Sequence, residues 1–421
     1  MHKRRDFLKL SAAATAGAAF LATAHKAEAQ TVQDPIKQLK PMMDGIVPIT
    51  TDERKARIEK AQRLMVENNI GAIFLEPGTS VFYFTGLRTW ISERMIALVV
   101  PSKGELAWIC PKFEEDRMRE VIKMGSDIRT WEEDESPYKV VSGIFKDRGV
   151  RTGTVGIEER VRFFLYDGIR KETTGIDYVS ADPVTVGCRV IKSPAEIALM
   201  QKANDITIVA YKAAVATLKE GMTPGEFGAS CSAAFRALGT SGGAGANFGK
   251  ASAYPHGSIQ PQKLKEGDVV LMDGGCGIEG YQSDISRTVV FGKPTQRQRD
   301  IWNLARRSQD AALEAAKVGA TCESVDAAAR KVITDFGFGP GYKLPGCPHR
   351  TGHGIGLEGH EWTNLVRGNK TRLEPGMCFS NEPTIAIPGE FGVRHEDCMY
   401  ITEQGAKLFT QQSPSIDQPF L

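Results

Sequence analysis

Five residues in the second half of the chain carry oxygen or nitrogen donors suited to binding metal ions. They are four carboxylates and one imidazole: Asp273, Asp284, His353, Glu382 and Glu396. Burying four carboxylates near one another without a cation is costly, because burial and mutual repulsion both penalise the charged form. Carboxylates can bridge two hard divalent ions and leave a position open for water. The set therefore predicts a two-metal hydrolase.

The spacing of these donors indicates how they are brought together. Asp273 and Asp284 flank residues 274–280, and a hairpin there would place both carboxylates at one end of a strand pair. Either aspartate alone could equally be an ordinary turn residue. Glycines on both sides of His353 leave room for a metal close to the backbone.

Three more residues are candidates for the same site. Arg394, two residues before Glu396, would share one face of a strand with it and keep the carboxylates ionised; a surface ion pair is the alternative. His360 follows His353 in the same loop, and His256 precedes the first strand group and could project into the same cleft.

Length and charge limit the function classes. The chain has 421 residues, enough for two domains, and a net charge of only +2, which gives no basic field for nucleic acid. Charged residues make up 25% and hydrophobic residues 41%, an ordinary globular composition.

The N-terminus has the pattern of an export signal. Lys3, Arg4 and Arg5 precede an Ala-rich apolar run and an Ala27-Glu28-Ala29 cleavage site. Adjacent arginines of this kind are typical of twin-arginine export. A membrane anchor is the alternative, but the run is shorter than the roughly 20 residues that span a bilayer. We expect residues 1–29 to be removed, leaving a periplasmic or secreted protein without a membrane segment.

The eight cysteines do not form a disulfide framework. They are scattered without a C-x-x-C pair, so most should be small buried residues. Cys276 and Cys398 lie near the proposed ligands, and a thiolate ligand there is an open alternative.

Local patterns divide the remaining chain in two. Capping boxes at Thr50, Ser193 and Thr223 predict helix starts, and alternating strands and helices before residue 190 predict an α/β domain. Beyond it, strand groups near 269–291 and 377–401 enclose two helical stretches. Two ligands fall in each strand group, so metals would lie between them.

Several phrases together resemble the metallopeptidase family of methionine aminopeptidase, aminopeptidase P and prolidase. They are YPHGS, DGGCGIEGYQSDISRT, HRTGHGIGLEGHE, LEPGMCFSNEP and PGEFGVRHED, with YFTGL in the first half. The resemblance implies an α+β fold: a pita-bread (creatinase/aminopeptidase-like) catalytic domain at 191–421, preceded by a smaller α/β creatinase-type domain at 30–190. It points to the Xaa-Pro dipeptidase or aminopeptidase P branch.

The resemblance also implies roles for the site residues. Asp273 would bind one metal, His353 and Glu382 the other, and Asp284 and Glu396 both. Glu382 would move the proton of an attacking water.

Roles away from the metals follow from the same resemblance. His360 would polarise the scissile carbonyl, His256 would contact the substrate near the proline nitrogen, and Arg394 would support the ligands. The resemblance implies two divalent metals, with manganese as the first choice and zinc, cobalt or iron as alternatives. It also implies a small peptide substrate with proline in the second position, and a second copy of the chain as partner in a homodimer.

Two departures concern the substrate pocket. Ala386 stands where the family has a tyrosine whose hydroxyl assists catalysis, and Trp362 stands where proline is usual. They leave open a lyase or another hydrolase acting on a non-peptide small molecule with the same ligands. A non-catalytic binding module is a further alternative, disfavoured because all five ligands are present.

Overall fold

The computed structural model describes residues 34–420, and the predicted signal peptide lies outside them. Within that range the helices are α1 Thr51–Glu67, α2 Thr79–Thr85, α3 Glu115–Val121, α4 Pro137–Asp147, α5 Phe163–Glu172, α6 Asp182–Arg189, α7 Pro194–Val215, α8 Pro224–Ala237, α9 Gln296–Ala315 and α10 Cys322–Asp335.

The strands of the same range number seventeen. They are β1 Ala72–Leu75, β2 Ala97–Pro101, β3 Ala107–Pro111, β4 Asp127–Trp131, β5 Gly153–Ile157, β6 Ile176–Ser180, β7 Gly242–Phe248, β8 Val269–Ile278, β9 Tyr281–Gln282, β10 Ile285–Val290, β11 Gly352–Gly354, β12 Glu361–Leu365, β13 Cys378–Asn381, β14 Thr384–Ile387, β15 Phe391–Arg394, β16 Asp397–Thr402 and β17 Gly405–Leu408.

The first half forms a six-stranded mixed sheet in the order β4-β3-β2-β1-β5-β6. Its central strands are apolar on both faces. Ile73 and Leu75 enter one hydrophobic cluster, whereas Ala72 and Phe74 enter another on the opposite face. Because side chains alternate along a strand, this sheet must be covered on both sides, as the near-continuous apolar runs predict.

The second half is built from two main antiparallel sheets. One has the order β10-β8-β7, and the other has the order β12-β11-β13-β16-β17, with the hairpin β14–β15 beside them. Helices α7 and α8 pack on the first sheet, and α9 and α10 pack on each other and on the second group. The two sheets meet at an isolated antiparallel bridge between Ser286 and Glu396.

Helix starts follow the predicted signals. Thr50, Ser193 and Thr223 each cap a helix with a complete capping box, and Thr295 does the same with Gln298. In each box the cap side chain and the residue three positions on satisfy two backbone N–H groups that the helix leaves free. These local predictions are confirmed.

The second predicted strand group, near 377–401, is interrupted. Its first part divides into β13 and β14 at Glu382 and Pro383. Proline has no N–H for the strand ladder, so the chain leaves the sheet there. The break puts Glu382 at a strand end, where its side chain can turn toward the donors of the other sheet.

The two halves of the chain share a hydrophobic core. One hydrophobic cluster runs from Ile73 of the first sheet to Met272 of β8. Within this contact, Arg57 of α1 lies 3.3 Å from the Glu196 carboxylate and donates to the Tyr281 hydroxyl at 3.0 Å. Tyr281 in turn donates to Glu196 at 2.7 Å. All three side chains are buried, so the halves are joined by apolar packing and a satisfied polar group.

Among residues 34–420, no helix combines the length and apolar character needed to cross a membrane.

Candidate metal centre and active site

The predicted ligands converge where the two sheets of the second half meet. Asp273 lies in β8 directly opposite Ser286 of β10, and the backbone N–H of Glu396 donates to the Ser286 carbonyl. His353 lies in β11, next to β13, and Glu382 follows β13. The hairpin expected from Asp273 and Asp284 is present, and it supplies two of the five donors.

Distances within the cluster are short. His353 Nε2 lies 3.2 Å from Glu382 Oε1 and 3.7 Å from Asp284 Oδ2. The Ser286 hydroxyl lies 2.9 Å from Asp273 Oδ1 and 2.6 Å from Glu396 Oε2. All five residues selected from the sequence are therefore brought into one cluster.

These donors form overlapping groups that suit metal ions. Asp273, Asp284 and Glu396 form one group, and His353, Glu382 and Glu396 form a second, with all donor atoms of a group within 4.8 Å of one another. A third group joins Asp284 and His353 to His360. Carboxylates together with one or two imidazoles fit Mn²⁺, Zn²⁺, Co²⁺ or Fe²⁺, and the overlap at Glu396 and Asp284 fits shared ligands.

The carboxylates affect one another's protonation. Burial and the neighbouring Asp273 raise the pKa of Asp284 to about 7, and burial with Asp284 raises the pKa of Glu396 well above its usual range. Burial acts against the charge of Glu382 too, but the His353 hydrogen bond and the charges of His349 and Arg394 hold its pKa at about 2. The cluster thus carries an excess of negative charge that divalent cations would neutralise.

Arg394 contacts this cluster from within. Its Nη2 lies 2.5 Å from Asp273 Oδ2, and its Nε donates to the Ser286 hydroxyl at 2.7 Å. Its guanidinium also lies 3.9 Å from both Glu382 and Glu396. Burial opposes its charge, yet Asp273 and the other carboxylates raise the pKa of Arg394. It is a permanent cation beside the acidic ligands and not a surface ion pair.

The hydrogen bonds of His353 prepare it to bind a metal. Its Nδ1 lies 3.0 Å from the Gly354 carbonyl, which can only accept, so Nδ1 carries a proton. Nε2 then faces the carboxylates and is the atom free to bind a cation, an arrangement common among metal-bound histidines. Ser380 fixes the backbone, because its hydroxyl accepts from the His353 N–H and lies 3.2 Å from Glu382.

His360 is oriented differently. It is exposed, its ring lies 3.8 Å from that of His353, and its Nδ1 is 3.0 Å from Arg350 Nη2. Because arginine can only donate, Nδ1 accepts and the proton of neutral His360 is on Nε2. Burial, His353 and Arg350 lower the pKa of His360, which favours that neutral form.

His256 is the one selected histidine that the structure leaves apart. It lies exposed in the loop after residue 253, and it belongs to none of the three donor groups. Cys276 and Cys398 are also outside these groups. The Cys398 thiol instead accepts from the Asp284 N–H at 3.3 Å and lies 3.1 Å from the Asp284 carbonyl.

Sequence reasoning missed three residues that hold the donors in place. Ser286, Ser380 and Arg350 contact the cluster or its histidines, but serines and arginines are too common to stand out in a single chain. One signal was available for Ser286. It lies two residues after Asp284 and so faces the same side of the strand.

A cavity of about 240 Å³ adjoins the cluster. His360, Trp362, Asn364 and Arg350 line one side of it, and Glu159 and Arg189 of the first half line the other. The cavity is therefore formed by both halves of the chain.

The chain belongs to metallopeptidase family M24, whose profile matches residues 198–403. The profile of the creatinase/prolidase N-terminal domain matches residues 57–191, and that of the twin-arginine translocation pathway signal sequence matches residues 1–20. The protein is thus a metallopeptidase with a twin-arginine export signal, and the predicted pita-bread fold with a creatinase-type first domain is confirmed. The domain boundaries drawn at residues 29 and 190 remain predictions.

The matches to similar proteins cover most of this chain and nearly the whole length of each relative. The Xaa-Pro dipeptidase of Pyrococcus furiosus is 31% identical over 360 residues, which are 85% of this chain and 98% of the relative. The Xaa-Pro dipeptidase of Lactobacillus delbrueckii subsp. lactis is 32% identical over 85% of this chain and 98% of its own length. The crystal structure of dipeptidase PepE from Mycobacterium ulcerans, 30% identical, superposes with a TM-score of 0.78 over 87% of this chain and 98% of that chain.

Proposed function

We propose that this exported metallopeptidase uses two divalent metal ions to hydrolyse the bond between an N-terminal residue and a following proline in small peptides. The observation that carries the proposal is the overlap of two donor groups at Glu396, with Asp284 shared between two of the three groups. Two of the relatives described above are named Xaa-Pro dipeptidase, which favours dipeptides as the first substrates to test.

Asp273 would hold one metal, His353 and Glu382 would hold the other, and Asp284 and Glu396 would serve both. The bound ions would polarise the substrate carbonyl and lower the pKa of the attacking water. Manganese is our first choice of metal, and zinc, cobalt and iron also suit these donors.

Proton transfer and charge stabilisation come from the chain itself. Glu382, with its pKa held at about 2, is ionised at neutral pH and accepts a proton from the attacking water. His360 carries its proton on Nε2 and donates it in a hydrogen bond to the carbonyl oxygen as negative charge develops there. Arg394 pairs with Asp273 and lies beside Glu396, so it supplies a fixed positive charge next to these two carboxylates. His256, exposed in its loop, contacts the substrate near the proline nitrogen.

Ala386 supports a second candidate. Its side chain is fully buried in β14, and the backbone groups of Ala386 pair with those of Gly346. The position therefore brings no hydroxyl to the site. The nearby hydroxyl of Thr384 is instead 2.8 Å from His349 Nε2. A lyase, or a hydrolase of a non-peptide molecule, would use the same metal ligands with this different pocket.

Peptide cleavage tests both candidates. The mature protein, loaded with Mn²⁺, is assayed for release of the N-terminal residue from Xaa-Pro dipeptides and Xaa-Pro-Xaa tripeptides, with Ala-Ala as the substrate control and EDTA as the metal control. EDTA-sensitive release from the proline peptides is expected, and the dipeptide-to-tripeptide ratio separates dipeptidase from aminopeptidase P activity. A protein with two bound metals that cleaves none of these proline peptides would contradict the peptidase proposal and favour the second candidate.

We further propose that the mature protein is a periplasmic homodimer. The twin-arginine signal supports export, and the family resemblance supports the dimer. Replacing Arg4 and Arg5 by lysine should retain the precursor in the cytoplasm, whereas Lys3→Gln should not. Light scattering of the mature protein gives the oligomeric state, and secretion into the medium or a monomeric mass would contradict the respective part.

A further inference from the structure

Few side-chain contacts hold His360, whose ring lies 3.8 Å from that of His353. The ring is exposed, and its one hydrogen bond among the described residues is to Arg350. Its location therefore depends on the backbone of the loop 355–360, which connects β11 to β12. A residue that must meet a developing oxyanion needs a well-defined position, because a displacement of about 1 Å can cost on the order of 100-fold in rate.

The loop is closed on itself by Glu361. This carboxylate accepts from the backbone N–H groups of Leu357 at 3.0 Å and Glu358 at 3.3 Å. Lys192 lies 2.9 Å from its other oxygen, and Arg189 pairs with it as well. The side chain of Glu361 is 5% exposed, and although burial opposes its charge, Lys192 and Arg189 hold its pKa at about 2. The end of the loop next to His360 is thus fixed to the segment that joins the two halves.

Glu358 extends in the other direction, into the first half of the chain. Its Oε1 accepts from the Thr79 hydroxyl at 2.6 Å and lies 3.0 Å from Arg160 Nη1. Its Oε2 lies 3.4 Å from Arg189. The side chain is 15% exposed, so these contacts are partly shielded from solvent. A residue two positions before His360 is therefore bound by groups from another domain.

We propose that Glu358 is a positioning residue through which the N-terminal domain holds the His360 loop in its active geometry. The domain would then contribute to the reaction without touching the metals or the reacting atoms. This inference rests on the proposed function for its kinetic consequence, because it is the proposed role of His360 that makes the loop position matter. The contacts themselves are independent of the substrate.

The test alters both sides of the contact. Glu358→Gln removes the charge from the loop, and Thr79→Val combined with Arg160→Gln removes the partners from the N-terminal domain. Arg162→Gln is the matched control, since Arg162 lies in the same segment as Arg160 but pairs with Glu76 of its own domain. All variants are made in the mature, metal-loaded protein.

We expect kcat for an Xaa-Pro dipeptide to fall on the order of 10-fold in Glu358→Gln and in the Thr79→Val/Arg160→Gln protein, with two metals still bound. The combined triple variant should lose little more than either alone, because all three changes break one interaction. Arg162→Gln should keep the wild-type kcat even if it lowers the unfolding temperature.

Hydrogen–deuterium exchange of the amides in 355–362 supplies a readout that needs no substrate. Exchange should accelerate in Glu358→Gln and in the Thr79→Val/Arg160→Gln protein and stay unchanged in Arg162→Gln. Unchanged exchange and unchanged kcat in the Thr79→Val/Arg160→Gln protein would overturn the inference. This result decides the question even if the Glu358→Gln protein does not fold. If the wild type cleaves no Xaa-Pro peptide, the proposed function fails, and the exchange result still decides whether the N-terminal domain positions the loop.

Discussion

At the scale of single residues, the site is defined by acidic side chains that interact strongly. Asp284 is the clearest case, because it belongs to two of the three donor groups and its pKa is raised to about 7. The residue types could be selected from the sequence, but their protonation could not, since it depends on burial and on neighbours distant in the chain.

Replacing Asp284 by asparagine should remove the activity and at least one metal. Asparagine keeps the shape but loses the negative charge. Changing a residue that only supports a metal ligand costs up to about 100-fold in activity, so we expect at least about a 100-fold loss of rate when a ligand itself is changed. Metal content by mass spectrometry and proline release are the measurements. Asp335→Asn, which removes an exposed carboxylate paired with Lys331, is the control. Wild-type metal content and activity in Asp284→Asn would contradict the ligand assignment.

Metal binding to the metal-free protein should release protons. Burial and Asp273 raise the pKa of Asp284 to about 7, so this carboxyl holds a proton at pH 6, and burial with Asp284 raises the pKa of Glu396 well above its usual range. Metals require the ionised form, so affinity should increase as the pH rises through 7. Calorimetric titration of Mn²⁺ at pH 6 in two buffers of different ionisation enthalpy measures the release. Equal binding enthalpies in both buffers would show that no proton leaves.

At the scale of secondary-structure elements, the position of each ligand depends on contacts between strands. Cys398 of β16 shows this, because its thiol bridges the backbone N–H and carbonyl of Asp284, just before β10. The strand periodicity and the capping boxes could be read locally. The pairing of Ser286 with Glu396 could not, because it joins segments more than 100 residues apart.

Cys398→Val should destabilise the protein by about 1–3 kcal/mol, since it leaves the buried N–H of Asp284 without its acceptor. Cys398→Ser retains a hydroxyl that can make both contacts and should cost less. Urea unfolding of the metal-free protein is the measurement. Cys231→Val is the control, because the described residues offer its buried thiol no hydrogen bond. Equal stabilities of the two valine variants would contradict a role for the Cys398 contacts.

At the scale of the whole molecule, the two halves are joined by a common apolar cluster and a buried polar group. Arg57, Glu196 and Tyr281 form that group, and each makes its contacts inside the interface. The capping box of Glu196 was recognised from the sequence, but its second role as the partner of Arg57 was not. A glutamate three residues after a cap is expected to be exposed, and only packing of the two halves buries it.

Arg57→Met should lower the free energy of unfolding by about 3–5 kcal/mol, because it leaves the Glu196 charge buried without its partner. Replacing both charged residues by neutral ones, Arg57→Met with Glu196→Gln, should restore part of that loss. Thermal unfolding measures the effect, with Lys55→Met as a control that breaks only an exposed pair with Asp52. A stability equal to that of the control would show that the buried pair does not join the halves.

The sequence alone determined the donor set, the helix starts, the two-part organisation and the family resemblance, because these depend on residue type and short-range spacing. The tertiary structure decided which atoms face the metals, where His360 is held and how the N-terminal domain reaches its loop. These features depend on Ser286, Ser380, Arg350 and Glu358, whose contacts come from segments remote in sequence. Spacing along the chain carries no record of such contacts, since they exist only after the sheets have packed together.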